Sequence, residues 1–207
     1  MKTSFERPSI LIEDSNGIHA IDSKSLLLKR RIIHLEEEIT GKTVNEIIRQ
    51  LILLGTQSEE PVTILIDTVG GSIQAGYQLI DVMEACPFAI RTIALGNACS
   101  MGAVILAAGS PGYRAISSRS KVLLHEPLIG IGVSGSASRM ESIANDLKER
   151  RETINKMLVS YTGQNLEAVR EATSYEHWYT ADEAKVFGIV DTVVAHADLF
   201  TMIMGGK

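Results

Sequence analysis

The sequence predicts an α/β domain built on a mainly parallel sheet. Short apolar runs alternate with amphipathic helical patterns, and two of those runs pass through small-residue turns directly into a helix. Such alternation is how a chain lays parallel strands side by side with helices on their faces. No internal repeat, low-complexity tract or Pro/Ser-rich linker interrupts the 207 residues, so residues 1–207 are expected to form one domain.

Taken in order, Arg31 to Leu35 reads as a strand, Thr43 to Leu54 as an amphipathic helix, Val62 to Asp67 as a buried strand and Ser72 to Ala85 as a helix. The alternation continues with a strand at Phe88 to Leu95, a small-residue helix at Ser100 to Ala108, and a strand from Lys121 ending at His125. After Pro127 comes an arm containing Gly130, Gly132 and Gly135, followed by a long helical pattern. Its apolar stripe is Met140, Ile143, Leu147, Ile154, Met157 and Tyr161, with Glu141, Asp146, Lys148, Glu149 and Arg151 opposite. Two placements are open for that stripe: against its own domain, or projecting onto a partner subunit.

A hydrophobic content of 45% with 22% charged residues describes a globular protein somewhat apolar for its size, a composition common among oligomers. A net charge of −5 gives no basic footprint for nucleic acid or an anionic membrane. Residues Met1 to Pro8 hold no apolar run of the signal-peptide kind, and no stretch approaches the ~20 apolar residues of a membrane span, so a cytoplasmic protein is expected. Cys86 and Cys99 lack metal-ligand spacing and read as reduced, buried thiols.

The segment Leu95-Gly96-Asn97-Ala98-Cys99-Ser100-Met101-Gly102-Ala103 follows an apolar strand and opens a helix, with small residues around one serine. A tight strand-to-helix turn exposes a nucleophilic Oγ and brings helix N-terminal N–H groups to a developing oxyanion. The competing reading of Ser100 is a simple helix N-cap. A second such turn, Thr68-Val69-Gly70-Gly71-Ser72, can aim backbone N–H groups at a ligand or be a plain capped turn. Of five histidines, His125 is the best placed, at the end of an apolar strand; His19, His34, His177 and His196 read as surface groups. Gly41-Lys42-Thr43 lacks the earlier glycine of a phosphate-binding loop, Glu36 occupying its place, and Ser118-Arg119-Ser120-Lys121 precedes a strand rather than opening a helix, so it reads as a turn.

Taken together, these segments resemble the proteolytic subunit of the ATP-dependent Clp protease over nearly the whole chain. The ordered blocks are Leu27-Leu28-Lys29, Gly70-Gly71 with Ala75-Gly76, Ala98-Cys99-Ser100-Met101-Gly102-Ala103, Leu106-Ala107-Ala108-Gly109 and His125-Glu126-Pro127-Leu128. Further on come Thr162-Gly163-Gln164-Asn165-Leu166, Ala181-Asp182-Glu183-Ala184 and Gly188-Ile189-Val190-Asp191. The resemblance implies a Clp/crotonase-type fold of stacked ββα units, in which residues 128–161 form a protruding handle arm and helix and residues 1–22 an axial segment.

By position, the resemblance implies Ser100 as nucleophile, His125 as general base, and the N–H groups of Gly71 and Met101 as the oxyanion hole. Where the family has an aspartate as third triad member, this chain has Glu176, with Glu171 and Asp182 as lesser candidates. Val69 stands where the family usually has proline, Asn97 and Cys99 flank the serine, and the arm is slightly longer than usual. The implied activity is hydrolysis of unfolded polypeptides delivered by an AAA+ unfoldase, inside two stacked seven-membered rings, without metal or organic cofactor. Two rival readings are a weakly active or regulatory paralogue in mixed rings with an active sister subunit, and a crotonase-like acyl-CoA enzyme.

Overall fold

The computed structural model describes residues 9–14, 17–129 and 133–205. The readings of Met1 to Pro8 and of Gly130 and Gly132 in the arm lie outside these residues. A β-hairpin, β1 (Ser9–Asp14) and β2 (Gly17–Asp22), precedes α1 (Ser23–Lys29), none of whose residues is buried. The body follows as β3 (Ile32–Leu35), α2 (Gly41–Gly55), β4 (Val62–Thr68), α3 (Ile73–Ala85), β5 (Ile90–Cys99), α4 (Met101–Ala107), β6 (Arg114–Ser117) and β7 (Lys121–Leu124). Then come α5 (Ala137–Thr162), α6 (Leu166–Ser174), β8 (His177–Tyr179), α7 (Ala181–Phe187), β9 (Thr192–Val194) and α8 (His196–Ile203).

The main sheet runs β3-β4-β5-β6-β9, every pair parallel. The predicted α/β class with parallel pairing is therefore what the chain adopts. The run Val62 to Ile66 is buried at every position because β4 is covered on both faces, which is why it reads as continuous rather than alternating hydrophobicity. On one face, Ile33, Leu35, Ile64 and Ile66 join Leu51, Leu79, Ile105 and Leu158 in the larger core. On the other, Ile32, Leu65, Ile93, Ala115 and Val194 are covered by Leu27 from α1 and by Leu199, Met202 and Ile203 from α8.

β5 outruns its predicted end at Leu95 because beyond Gly96 it exchanges β6 for a new neighbour: Asn97, Ala98 and Cys99 pair with Lys121, Val122 and Leu123 of β7. That association is non-local and leaves no period in the sequence. β6, β8 and β9 are three or four residues long, too short to show one. The long helix resolves both placements of its stripe. Ile154 and Leu158 are buried in the core, whereas residues 133–142, Met140 among them, are exposed. The C-terminal half docks on its own domain and the N-terminal half protrudes.

Two arginines pin the scaffold. Arg31 adopts φ 61°, unusual for a residue with a side chain, and its guanidinium donates to the carbonyls of Leu54, Ser58 and Pro61 while lying 5.2 Å from the Phe88 ring centroid. Arg114, 9% exposed, donates to both carboxylate oxygens of Asp191 and to the carbonyl of Tyr161 at 2.6 Å, tying the end of α5 to β6 and β9. Burial pushes the Asp191 carboxyl up, but hydrogen bonds from the Arg114 side chain and backbone and from Gly112 N–H outweigh it, and the net shift is downward.

A depressed carboxyl contributes stability above its unfolded pKa, about 3.9, that is lost as pH falls through the folded value. Asp191→Ala is expected to destabilise the protein by about 3 kcal/mol at neutral pH, because it leaves a largely buried guanidinium unpaired. The gap between wild type and variant should narrow as pH falls below about 4 in a series of denaturant titrations; a gap independent of pH would mean that the charge of Asp191 contributes none of it.

Candidate active site

The strand-to-helix turn between β5 and α4 holds Ser100 at φ 55° and ψ −123°. A non-glycine residue in such a region carries roughly 1–3 kcal/mol of strain that the surrounding structure must impose. Here it is imposed from both sides: the Ser100 N–H donates to the Leu123 carbonyl at 2.8 Å, and the Ala103 N–H takes the Ser100 carbonyl into the helix. An N-capping serine has extended backbone and spends its Oγ on the helix. Ser100 does neither, making no side-chain cap bond, so the capping reading gives way and its hydroxyl is left uncommitted. Beside it, burial and then the Asp67 charge push the Cys99 thiol up, keeping that neighbour neutral.

The Gly-Gly turn between β4 and α3 lies directly against this serine. A Cβ on Gly70 would stand 2.7 Å from both the Cys99 carbonyl oxygen and the Ser100 Cβ, so only glycine permits the approach. The turn is anchored by Ile39, whose N–H donates to the Gly70 carbonyl and whose carbonyl accepts from Ser72 N–H, while Gly70 N–H is held by Thr68 Oγ1. Among the described residues no hydrogen bond takes the N–H of Gly71 or of Met101. Close packing continues behind the turns. A Cβ on Gly76 would collide with the Met101 side chain, and one on Gly102 would lie 2.5 Å from Thr68 Cγ2.

His125 follows the last residue of β7 and is half-buried. It shares with Ser100 a narrow cavity of about 20 Å³, lined also by Ile73, Met101, Val104, Leu124, Ile154 and Thr173. The same two residues face an open groove of about 630 Å³ with Val69, Gly71, Leu128, Leu147 and Arg150 along its sides. The fold thus brings Ser100, His125, Gly71 and Met101 to one place. No hydrogen bond joins Ser100 to His125.

Glu176 is placed by register. β7 and β8 are antiparallel with Val122 opposite Tyr179, Leu123 opposite Trp178 and Leu124 opposite His177. The pairing ends there, leaving His125 just after β7 and Glu176 just before β8 at the same end of the pair. Glu176 is nevertheless exposed and makes no ion pair with His125. Glu171 is exposed on α6, and Asp182 lines a separate apolar cleft with Tyr179, Val186 and Phe187.

Around the site, Glu126 pairs with Arg151 of α5 at 3.2 Å, and the buried Thr173 Oγ1 lies 3.0 Å from Asn155 Oδ1. Sequence reading missed Thr173 and Asn155. A threonine inside a helix, here bonded to the Val169 carbonyl of its own turn, gives no local sign of the cavity it reaches. His34 corrects the surface reading in part: it lies half-buried on β3 with Nδ1 3.6 Å from Glu36, and among the described residues no hydrogen bond reaches its buried Nε2. Cys99 is buried as expected, whereas Cys86 is only half-buried. Gly41-Lys42-Thr43 opens α2, where Thr43 and Thr40 form a reciprocal capping box. Ser118 and Arg119 form the expected turn.

Two β-α turns of the parallel sheet thus meet at one strained serine, and a histidine lines the same cavity. The family model described as Clp protease matches residues 15–197, and the chain belongs to that family, one of peptidases. Among the described residues no helix is long and apolar enough to cross a membrane.

Strain at Ser100 has a measurable consequence. Glycine tolerates its backbone angles and alanine does not, so Ser100→Gly should unfold about 2–4 °C above Ser100→Ala in calorimetry. Equal midpoints would mean that the turn stores no strain.

Proposed function

We propose that this chain is a serine endopeptidase subunit that cleaves unfolded polypeptides delivered by an AAA+ unfoldase, in two stacked seven-membered rings. The observation that carries the reading is Ser100 itself, strained and uncapped, sharing one cavity with His125 beside two uncommitted backbone N–H groups. In this mechanism the substrate lies along the open groove and His125 accepts the Ser100 proton as Oγ attacks the scissile carbonyl. The tetrahedral oxyanion forms against the Gly71 and Met101 N–H groups, each such donor being worth about 10²–10³ in turnover. His125 then gives its proton to the departing amine, and water, activated by the same imidazole, releases the acyl group.

Glu176 is proposed to orient the imidazole and hold its tautomer, a task worth roughly 10⁴ in turnover. The open groove, with Val69, Ile73, Leu128 and Leu147 along it, favours an apolar side chain beside the cut, whereas the narrow cavity has room for little more than a water. Assembly through the handle is supported by the exposed start of α5 and the segment before it, which leave Met140 and Val133 uncovered.

A second reading, a weakly active or regulatory subunit in mixed rings with an active sister, is favoured by Glu176 being exposed and unpaired with His125. A crotonase-like acyl-CoA activity has no comparable observation behind it, since it leaves the juxtaposition of Ser100 and His125 without a role.

Hydrolysis of a short fluorogenic peptide with an apolar residue before the cleaved bond separates the two readings. Wild type should turn over and Ser100→Ala should not, with unchanged oligomer size. An inert wild type that gains activity as Glu176→Asp, or on mixing with a sister subunit, would favour the regulatory reading. Replacing the exposed Val133 and Met140 with charged residues is expected to shift sedimentation toward single rings; an unchanged profile would count against assembly through the handle.

A further inference from the structure

The nucleophile's position depends on a looped-out segment of β5. Ile66 of β4 pairs with Ala94, but the next pair is Thr68 with Ala98, so Leu95, Gly96 and Asn97 face only Asp67. On its other side β5 leaves β6 after Ala94 and joins β7 at Asn97. The N–H of Gly96 therefore falls in the gap between β6 and β7, and that of Asn97 where pairing with β4 is interrupted.

Both are held by side chains. The exposed Asp67 accepts from Asn97 N–H at 2.9 Å through Oδ1, and its carboxylate occupies the space beside Gly96, where a Cβ would come within 2.5 Å of that oxygen. The buried Ser120 accepts from Gly96 N–H at 2.8 Å and donates to the Ala94 carbonyl at 3.1 Å. One clamp comes from the strand that leads into Gly70 and Gly71, the other from the turn that leads into His125.

We propose that Asp67 and Ser120 are positioning residues for catalysis, clamping the loop of β5 so that Ser100 is set against the Gly-Gly turn and His125. This rests on the reading of Ser100 as nucleophile. Neither residue reaches the reacting atoms. Their work is to fix the path of the three residues before Ala98, and hence the turn that follows, to the tolerance that nucleophilic attack demands. Displacing a reacting group by about 1 Å can cost on the order of 10²-fold in rate. Because Asp67 is exposed, its replacement does not open the core.

The test measures kcat and KM for a fluorogenic peptide, the rate of Ser100 labelling by a fluorophosphonate, and sedimentation, for wild type, Asp67→Ala, Asp67→Asn and Ser120→Ala. Asp67→Ala should lower kcat and the labelling rate roughly 10- to 10²-fold, with KM within about twofold and assembly unchanged. Asp67→Asn, which keeps the accepting oxygen, should restore most of the rate, and Ser120→Ala should repeat the loss. If Ser120→Ala fails to assemble, the Asp67 pair decides alone. Wild-type labelling and kcat in Asp67→Ala would overturn the clamp while leaving the nucleophile in place, as would an Asp67→Asn variant no better than Asp67→Ala. A wild type that the probe does not label would overturn the nucleophile reading and the clamp with it.

Discussion

The main-chain hydrogen bond from Ser100 N–H to the Leu123 carbonyl closes the strand pairing that joins the two halves of the site. It is the last rung of the β5–β7 pairing, and it lies at the point where β5 stops being a strand and becomes α4. Because β7 is bound there and not further along the sheet, His125, two residues beyond Leu123, emerges at the mouth of the serine turn. The parallel body of the sheet does not require this arrangement, since β6 already pairs with β5 below the bend. What the rung adds is convergence: two strand ends and two glycine-assisted turns meet within one cavity.

The C-terminal half of α5 binds the surrounding elements through polar contacts as well as apolar burial. Arg151 meets Glu126, Glu152 meets Arg170 of α6, Asn155 meets Thr173, and Tyr161 donates to Glu84 of α3. The exposed ion pairs among these are screened by solvent and add little to stability. Their effect is better described as orientation, because each fixes α5 against an element that carries or flanks a site residue. Burial of Tyr161, followed by its bond to Glu84, pushes its hydroxyl well above the usual phenol range.

The strands and helices with a clear period were legible in the sequence: β3, α2, β4, α3, α4 and β7 lie within about two residues of their expected places. Ser100 and His125 were legible too, the first from small residues after an apolar strand and the second from its position at a strand end. Their convergence was not, because it depends on β5 changing partners at Gly96, a choice made by tertiary pairing. The short strands β6, β8 and β9 escaped for the same reason. That Glu176 and His125 flank the same end of a strand pair follows from a three-residue antiparallel register that no local pattern encodes. The stripe of α5 was real, but periodicity alone does not tell which half of a helix will be covered.

Arg31 carries a backbone conformation that glycine tolerates far better and a side chain that glycine lacks. Its planar fork binds the end of α2, the following loop and the approach to β4 at once, a geometry that the point charge of lysine does not reproduce. The position is therefore a local trap in sequence space. Substituting glycine relaxes the chain but releases three carbonyls, and keeping the carbonyls satisfied retains the strain, so no single change improves both. Any thermostabilised variant of this scaffold must reach its gains elsewhere and leave residue 31 as it is.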